Sequence, residues 1–228
     1  MNDVLRLSAN EDRRLRAGHL WVYSNEVDNQ ATPLKGFSPG QVVQVENAKG
    51  RWLGLAYVNP GSLICARIVS RDRTVTLGSS LLVHRLKVAL AHRERSFAAP
   101  YYRLLFGEAD GVPGLIVDRY GETLVVQITT AGMEMQRDAV ITALVKVLRP
   151  AGILLRNDTA SRELEGLDRY VELAHGQVDE RIAVEEGECR FQVSPFEGQK
   201  TGWFYDQSAN RERFLHYVEG RRVLDVCS

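Results

Sequence analysis

An α+β fold in three parts is predicted by three features of the sequence. Residues 1–72 contain short apolar runs separated by glycine and proline, which is typical of a small β-barrel. Residues 73–188 combine two helical apolar patterns with several strand-like runs, which indicates an α+β domain. Residues 189–228 contain a helix-like run followed by the apolar run 223–227, which has the pattern of a buried parallel strand. These changes of pattern place the predicted domain boundaries after residues 72 and 188.

The composition is that of a globular protein with balanced charge. Of the 228 residues, 44% are hydrophobic and 25% are charged, and 29 Lys and Arg offset 29 Asp and Glu. Zero net charge argues against a general affinity for polyanions, although residues 1–75 carry ten basic against seven acidic side chains. The N-terminal segment lacks the apolar core of a signal peptide, and no apolar run reaches the length of a membrane span. A cytoplasmic protein without a membrane partner is therefore expected.

Neither metal binding nor disulfide bonding is indicated by the sequence. Cys65, Cys189 and Cys227 lie far apart among apolar neighbours, without the spacing of a zinc site or of a disulfide framework. We expect these cysteines to be reduced and mostly buried. His84 and His92 lie on a predicted helix without a second pair of ligands, so packed or solvated histidines are favoured over a metal site.

A cluster of arginines marks the N-terminal part. Arg13, Arg14 and Arg16 come shortly before His19 and Trp21. Basic side chains next to aromatic ones are typical of surfaces that contact phosphates and RNA. A solvated helical turn explains the same charges equally well, so the residues alone leave both interpretations open. The barrel strands are predicted to begin at Val4 and to include 41–45, 52–58 and 63–69.

Two helices organise the middle part. Residues 79–95 place apolar side chains at 82, 86, 89 and 90, which predicts an amphipathic linking helix. Residues 133–148 show a second helical pattern, which ends just before Pro150. The strands predicted around these helices are 102–106, 115–118, 124–128 and 153–156.

Some charged residues of the middle part are candidates for a metal or substrate site. Glu108, Asp110 and Asp118 have no histidine or further carboxylate at metal spacing, so roles in turns and at strand ends are predicted for them. The run 156–158, Arg-Asn-Asp, together with Arg162 favours an ion-paired structural turn, and substrate contact is the alternative.

The stretch 198–207, Gly-Gln-Lys-Thr-Gly-Trp-Phe-Tyr-Asp-Gln, brings glycine, charged, amide and aromatic side chains together. The spacing excludes a phosphate-binding P-loop, because Ser194 and Gln199 stand where that motif requires glycine. We therefore predict a polar loop that leads into a helix over 206–218, with Asp206 as the N-cap residue.

The same loop carries a resemblance to a known family. The pattern Gly-Gln-Lys-Thr-Gly-aromatic-Phe-x-Asp-Gln, followed by Asn210-Arg211 and a Val-Leu-Asp run, resembles the beginning of the catalytic domain in one group of RNA-modifying enzymes. These are the PUA-domain-containing, S-adenosylmethionine-dependent rRNA large-subunit (cytosine-5) methyltransferases. Trp203 replaces the phenylalanine, and Ser208 the arginine, that the family usually has. The other segments that carry the resemblance are 18–24, 59–67, 106–118, 156–158 and 162–166.

The resemblance implies a domain order and a set of binding partners. It implies a PUA-like RNA-binding barrel over 1–72, a central strand-strand-helix-strand-strand domain over 73–188, and the beginning of a class I (Rossmann-like) methyltransferase domain over 189–228. The implied partners are S-adenosylmethionine, rRNA and a second copy of the chain in a homodimer. The cofactor-binding residues that it implies are Thr201, Phe204, Gln207 and Asp225. The RNA-binding residues that follow from the barrel are Arg13, Arg14, Arg16, His19 and Trp21.

The activity implied by the resemblance is transfer of a methyl group from S-adenosylmethionine to carbon 5 of a cytosine in large-subunit rRNA. That reaction needs a cysteine nucleophile, which in the family lies downstream of the position of Ser228. The 228 residues alone are therefore expected to bind and position RNA without catalysing the transfer, and the 198–211 loop is expected to be poorly ordered. The alternative function is a non-catalytic RNA-binding adaptor. The 198–211 loop and the 223–227 run favour the methyltransferase.

Overall fold

A computed structural model describes residues 3–224 and 226. The predictions for Asp225 and Cys227 lie outside these residues. The strands are β1 (Asp3–Arg6), β2 (Trp21–Val22), β3 (Gln41–Glu46), β4 (Trp52–Val58), β5 (Ala66–Ser70), β6 (Tyr101–Phe106), β7 (Leu115–Tyr120), β8 (Thr123–Ile128), β9 (Gly152–Asn157), β10 (Tyr170–Gly176), β11 (Ile182–Glu186) and β12 (Cys189–Val193). The α-helices are α1 (Arg13–Arg16), α2 (Ser79–Ser96), α3 (Ala131–Glu134), α4 (Arg137–Leu148) and α5 (Ser208–Val218).

The N-terminal part is a curled five-stranded sheet with the order β1-β3-β4-β5-β2. β1 runs parallel to β3, and the other pairs are antiparallel. A bridge between Leu7 and Val27 brings the segment after β2 against the end of β1, so the sheet curls towards a barrel. The strands predicted over 41–45 and 52–58 are confirmed. The strand predicted from 63 begins at Ala66, because residues 59–62 form a turn that leaves Leu63 exposed.

The middle part contains a second five-stranded sheet with the order β10-β9-β8-β7-β6. Only β8 and β9 are parallel, which is the pair joined across the helices. The predicted order strand-strand-helix-strand-strand is wrong by one strand, because β6 precedes β7 and β8 and pairs with β7 at the edge of the sheet. The linking helix is confirmed as α2. The second predicted helix is divided, since the chain leaves helical geometry between α3 and α4.

Each face of the central sheet is covered by a different layer. On one face, α2 and α4 pack against the sheet through buried residues that include Leu86, Leu144 and Val126. On the other face, Tyr120 and Val125 contact the hairpin formed by β11 and β12. The boundary predicted after residue 188 therefore falls inside this hairpin and would divide it. The division of the chain into three domains stays a prediction.

The barrel is joined to the central domain by buried polar contacts. The Tyr57 hydroxyl donates to the carbonyl of Pro113 (3.0 Å) and lies 3.0 Å from the Thr130 hydroxyl. Glu165 accepts hydrogen bonds from the Asn59 side chain (2.8 Å) and from Arg67 (2.9 Å). Buried polar groups lose their water contacts on folding, so these mutual hydrogen bonds make the interface specific.

The C-terminal segment differs from its sequence prediction in two ways. Asp206 is not an N-cap, because it lies within a 3₁₀ turn over Tyr205–Gln207 and α5 begins after Gln207 without a side-chain cap. The predicted strand over 223–227 is also wrong for the part that is described. Val223 and Leu224 are in no strand and are 55% and 86% exposed. A parallel strand needs a neighbour to pair with, and among the described residues none pairs with these two.

No helix within residues 3–224 is both long enough and apolar enough to cross a lipid bilayer.

Candidate functional site

The 198–211 loop is docked on the central sheet through a buried carboxylate. The Thr201 side chain is fully buried, and its hydroxyl donates to Asp118 Oδ2 at 2.6 Å. The Tyr120 hydroxyl donates to the Thr201 carbonyl at 3.0 Å. Asp118 and Tyr120 reach the loop because alternate residues of β7 point away from the helices, whereas Val117 points towards them.

Asp118 forms a buried ion pair with Arg103. The Arg103 guanidinium forms two hydrogen bonds of 2.9 Å with the two carboxylate oxygens. The hydrogen bond to Asp118 raises the pKa of Arg103, although burial of the guanidinium opposes this effect. Burial raises the pKa of the neighbouring Tyr120 hydroxyl. The strand-end role predicted for Asp118 is therefore wrong: the residue lies inside β7 and forms a buried ion pair.

Arg156 anchors the beginning of the loop. Its guanidinium donates to the carbonyl of Pro195 and, at 3.0 Å, to the carbonyl of Gly198. The same group forms two hydrogen bonds with Asp158, of 3.2 and 3.0 Å. Arg162 pairs with Glu134 at 2.8 Å. The predicted ion-paired structural role of these arginines is confirmed, and Arg156 in addition links the central sheet to the loop.

Glu186 of the β11–β12 hairpin anchors the end of the loop. Arg211 donates two hydrogen bonds to this carboxylate, of 2.5 and 2.6 Å, and the Trp203 indole donates a third of 3.0 Å. The hydrogen bonds from Arg211 are the main reason why the pKa of Glu186 is lowered. The Tyr205 hydroxyl donates to the carbonyl of Arg119 at 2.7 Å. The loop thus has polar contacts at its beginning, middle and end, and the expectation that it is poorly ordered stays a prediction.

The predicted cofactor residues differ in their exposure and in their hydrogen-bond partners. The Thr201 hydroxyl is used by Asp118. Phe204 is half-buried, and the Lys200 ammonium lies 4.7 Å from the centre of its ring. Gln207 is exposed, with its amide near Asp206 and Asn210. Phe204 and Gln207 thus remain accessible to a ligand, and the assignment of all these residues to a cofactor stays a prediction.

Arg13 and Arg16 of the predicted RNA-binding arginines are exposed, whereas Arg14 is held by hydrogen bonds. Arg14 donates to Glu26 at 2.5 and 3.2 Å and lies over the Tyr23 ring. The hydrogen bonds that Arg14 donates to Glu26 raise the pKa of Arg14, so this guanidinium has a structural partner. Arg13 and Arg16 are exposed on α1, and Arg16 lies 4.0 Å from the Asp12 carboxylate without a hydrogen bond to it.

His19 and Trp21 lie where the barrel approaches the central domain. His19 is exposed, and its carbonyl accepts a hydrogen bond of 2.8 Å from Arg71. The Trp21 indole donates to Glu108 at 2.6 Å, so one edge of the ring is used in the contact between the domains. RNA binding by these residues stays a prediction.

Metal ligands are not assembled in the described part of the chain: residues 3–224 and 226 contain no group of three or more His, Cys, Asp or Glu side chains that could hold an ion. Asp110 pairs with Arg93 at 2.7 Å and accepts from the Phe106 amide at 2.7 Å, which confirms its predicted role in a turn. Sequence reasoning missed Asp118 and Arg103 as the site that receives the loop. The signal for Asp118 was its place at the end of the segment 106–118, which carries the family resemblance.

The N-terminal part matches a known domain family. Residues 5–71 match the model of a PUA-like domain. The match lies within the barrel predicted over 1–72 and confirms its fold.

Curated relatives are similar to this chain over almost all of its length. The chain is 34% identical over 227 residues to the ribosomal RNA large subunit methyltransferase I of Shewanella frigidimarina, which covers 97% of this chain and 56% of the relative. It is 34% identical over 236 residues to the protein of the same name from Cronobacter sakazakii, which covers 100% of this chain and 58% of the relative. The chain therefore spans little more than half the length of the curated relatives it matches.

Two solved structures have the same fold over most of this chain. A Streptococcus mutans protein described as a SAM-dependent methyltransferase matches with a TM-score of 0.76 at 19% identity, over 94% of this chain and 54% of the other. A protein described as a methyltransferase complexed with SAH matches with a TM-score of 0.78 at 19% identity, over 94% of this chain and 53% of the other.

Proposed function

We propose that this chain is the RNA-binding and positioning part of an enzyme that methylates large-subunit rRNA. The observation that carries the proposal is the docking of the 198–211 loop on Asp118 through Thr201. An adaptor that only binds RNA has no need to hold such a loop in one orientation. The curated relatives, which bear the name of an rRNA methyltransferase, support the same conclusion.

The methyl donor is S-adenosylmethionine, and the acceptor is carbon 5 of a cytosine. The cofactor supplies an electrophilic methyl group when it is bound. The chain fits the cofactor in part, because the Phe204 ring and the exposed Gln207 amide can provide an apolar surface and hydrogen bonds. The Thr201 hydroxyl contributes indirectly, since its bond to Asp118 fixes the loop that carries those two side chains.

The nucleophile for this reaction is not among the cysteines that the structure describes. Cytosine-5 methylation requires a thiolate that adds to the ring. Burial raises the pKa of the Cys65 thiol to about 12, which disfavours the thiolate. Cys189 is exposed at the beginning of β12, where it lies opposite Glu186 in the β11–β12 hairpin. We therefore assign RNA binding and loop positioning to residues 3–224 and 226, and assign the nucleophile to neither Cys65 nor Cys189.

A non-catalytic RNA-binding adaptor is the second candidate, because the barrel and the central domain have their own buried cores and a common polar interface. A chimera separates the two functions. The part of the Shewanella relative that aligns with this chain is replaced by residues 1–228, and transfer of labelled methyl groups to large-subunit rRNA is measured. Methylated cytosine at carbon 5 is expected, and Thr201→Val in the chimera should lower the rate. A folded chimera that binds rRNA without any transfer would favour the adaptor.

A further inference from the structure

A cleft of about 410 Å³ lies between the barrel and α2. Leu20 and Arg71 line it on the barrel side, and Arg85, Val88 and His92 line it on the α2 side. The turn after β6 forms the third wall. This volume is within the range of roughly 300–1,000 Å³ that is typical of ligand sites.

The two carboxylates of the cleft already have partners. Glu108 accepts a hydrogen bond of 2.6 Å from the Trp21 indole and lies 3.8 Å from Arg67. Asp110 is paired with Arg93 at 2.7 Å. Asp110 is matched by Arg93, whereas Arg67 is shared between Glu108 and Glu165, which lies closer at 2.9 Å. Neither Glu108 nor Asp110 forms an ion pair with the two arginines that line the cleft.

Arg71 and Arg85 are the uncompensated cations. Arg71 donates to the carbonyls of Leu15 (2.7 Å) and His19 (2.8 Å), and neither acceptor is charged. Arg85 Nε is buried without a hydrogen-bond partner. Within residues 3–224 and 226, neither guanidinium has a carboxylate within salt-bridge distance. Gly111 lets Arg85 lie against the main chain, because a Cβ at this position would be 3.1 Å from Nε.

We propose that this cleft binds a phosphodiester segment of the RNA substrate. Guanidinium groups without a protein counter-charge are suited to phosphate oxygens, and the apolar side chains of Leu20 and Val88 provide a surface for a ribose or a base. Arg71 donates to the carbonyl of Leu15 in α1, the helix that carries Arg13 and Arg16. The inference rests on the proposed function for the identity of the ligand as RNA.

Opposite charges placed at Val88 test the sign of the ligand's charge. Val88 lines the cleft and is 44% exposed, so glutamate and lysine can both replace it without loss of core packing. Val88→Glu should weaken the binding of the 228-residue chain to large-subunit rRNA about fivefold at low salt, and Val88→Lys should strengthen it. Ala91→Glu is the matched control, because residue 91 is exposed on α2, does not line the cleft, and receives the same charge.

The outcomes distinguish failure of the cleft proposal from failure of the proposed function. If the unchanged chain does not bind rRNA, the proposed function fails first. If the chain binds rRNA and Val88→Glu behaves like Ala91→Glu, the cleft proposal is overturned while RNA binding stands. If Val88→Glu weakens only the binding of inorganic phosphate, the ligand is not RNA and the proposal is equally overturned. Arg85→Gln gives a second test, with a lower slope of log affinity against log salt by roughly 0.7–0.9 for one lost contact.

Discussion

At the scale of single residues, Asp118 determines how the loop is held. A buried carboxylate is costly unless it is paired and hydrogen-bonded. Arg103 supplies the counter-charge, and Thr201 supplies a further donor from a loop 83 residues away. Loss of Arg103 leaves the buried carboxylate without its counter-charge, and loss of Thr201 leaves it without one hydrogen-bond donor. The loop and the central sheet therefore stabilise each other.

Substitutions at the Asp118–Thr201 contact should lower the free energy of unfolding by different amounts. Thr201→Val removes one donor from a buried acceptor and should lower the free energy of unfolding by about 1–3 kcal/mol. Asp118→Asn breaks the ion pair with Arg103 and should cost about 3–5 kcal/mol. Urea unfolding measures both. Thr74→Val is the matched control, because it removes a 2.7 Å bond between exposed Thr74 and Asp72, and it should cost less than about 0.5 kcal/mol. Equal effects of Thr201→Val and Thr74→Val would contradict the docking role.

The Glu186 contact should be sensitive to acid. A lowered pKa means that the stabilisation by Glu186 is fully present above the ordinary glutamate pKa of about 4.3, and is lost as the pH falls through the lowered value. Trp203 reports the change, because its indole donates to Glu186. In a chain with Trp21→Phe and Trp52→Phe, Trp203 fluorescence should change below about pH 4.3. The same transition in a chain that also carries Glu186→Gln would rule out this cause.

At the scale of elements, the spacing of apolar residues along the sequence predicted helices, but it did not predict contacts between segments that are distant in the sequence. α2 was predicted almost to the residue, because its buried side chains, such as Leu82 and Leu86, recur with helical spacing. The run 223–227 was predicted as a strand because it is apolar. A strand also needs a neighbouring strand to pair with, and the described residues of this run pair with none. Asp206 was predicted as a cap from residue type, whereas the contact of Tyr205 with Arg119 fixes the turn before α5. The Asp118–Thr201 contact joins distant segments and has no local pattern.

The contact between α3 and β4 depends on a glycine. A Cβ at Gly132 would lie 2.0 Å from the Tyr57 ring, and the ring is fixed by two hydrogen bonds of its hydroxyl. Gly132→Ala should therefore lower the free energy of unfolding by about 1–3 kcal/mol through overpacking at the domain interface. Thermal unfolding checks the prediction. Gly36→Ala is the control, since a Cβ there meets nothing within 4 Å, and a comparable loss at both positions would contradict it.

At the scale of the whole molecule, hydrogen bonds at Glu165 join the barrel to the central domain. Glu165 receives hydrogen bonds from Asn59 and Arg67 of the barrel and from the Ala131 amide of the central domain. The central domain also holds the 198–211 loop, on the face of its sheet opposite α2 and α4. An RNA bound along α1 and the cleft would therefore keep a fixed position relative to the loop, which is what a positioning role requires.

The central claim is that this chain binds large-subunit rRNA through the exposed arginines of the barrel, and filter binding of the 228-residue chain over a salt series tests it most directly. Arg13→Gln and Arg16→Gln should each lower the slope of log affinity against log salt by roughly 0.7–0.9. Arg14→Gln should leave the slope unchanged, because that guanidinium donates two hydrogen bonds to Glu26, whereas Arg16 is 60% exposed and only approaches Asp12 to 4.0 Å. Absence of binding, or one unchanged slope for all three variants, would contradict the account.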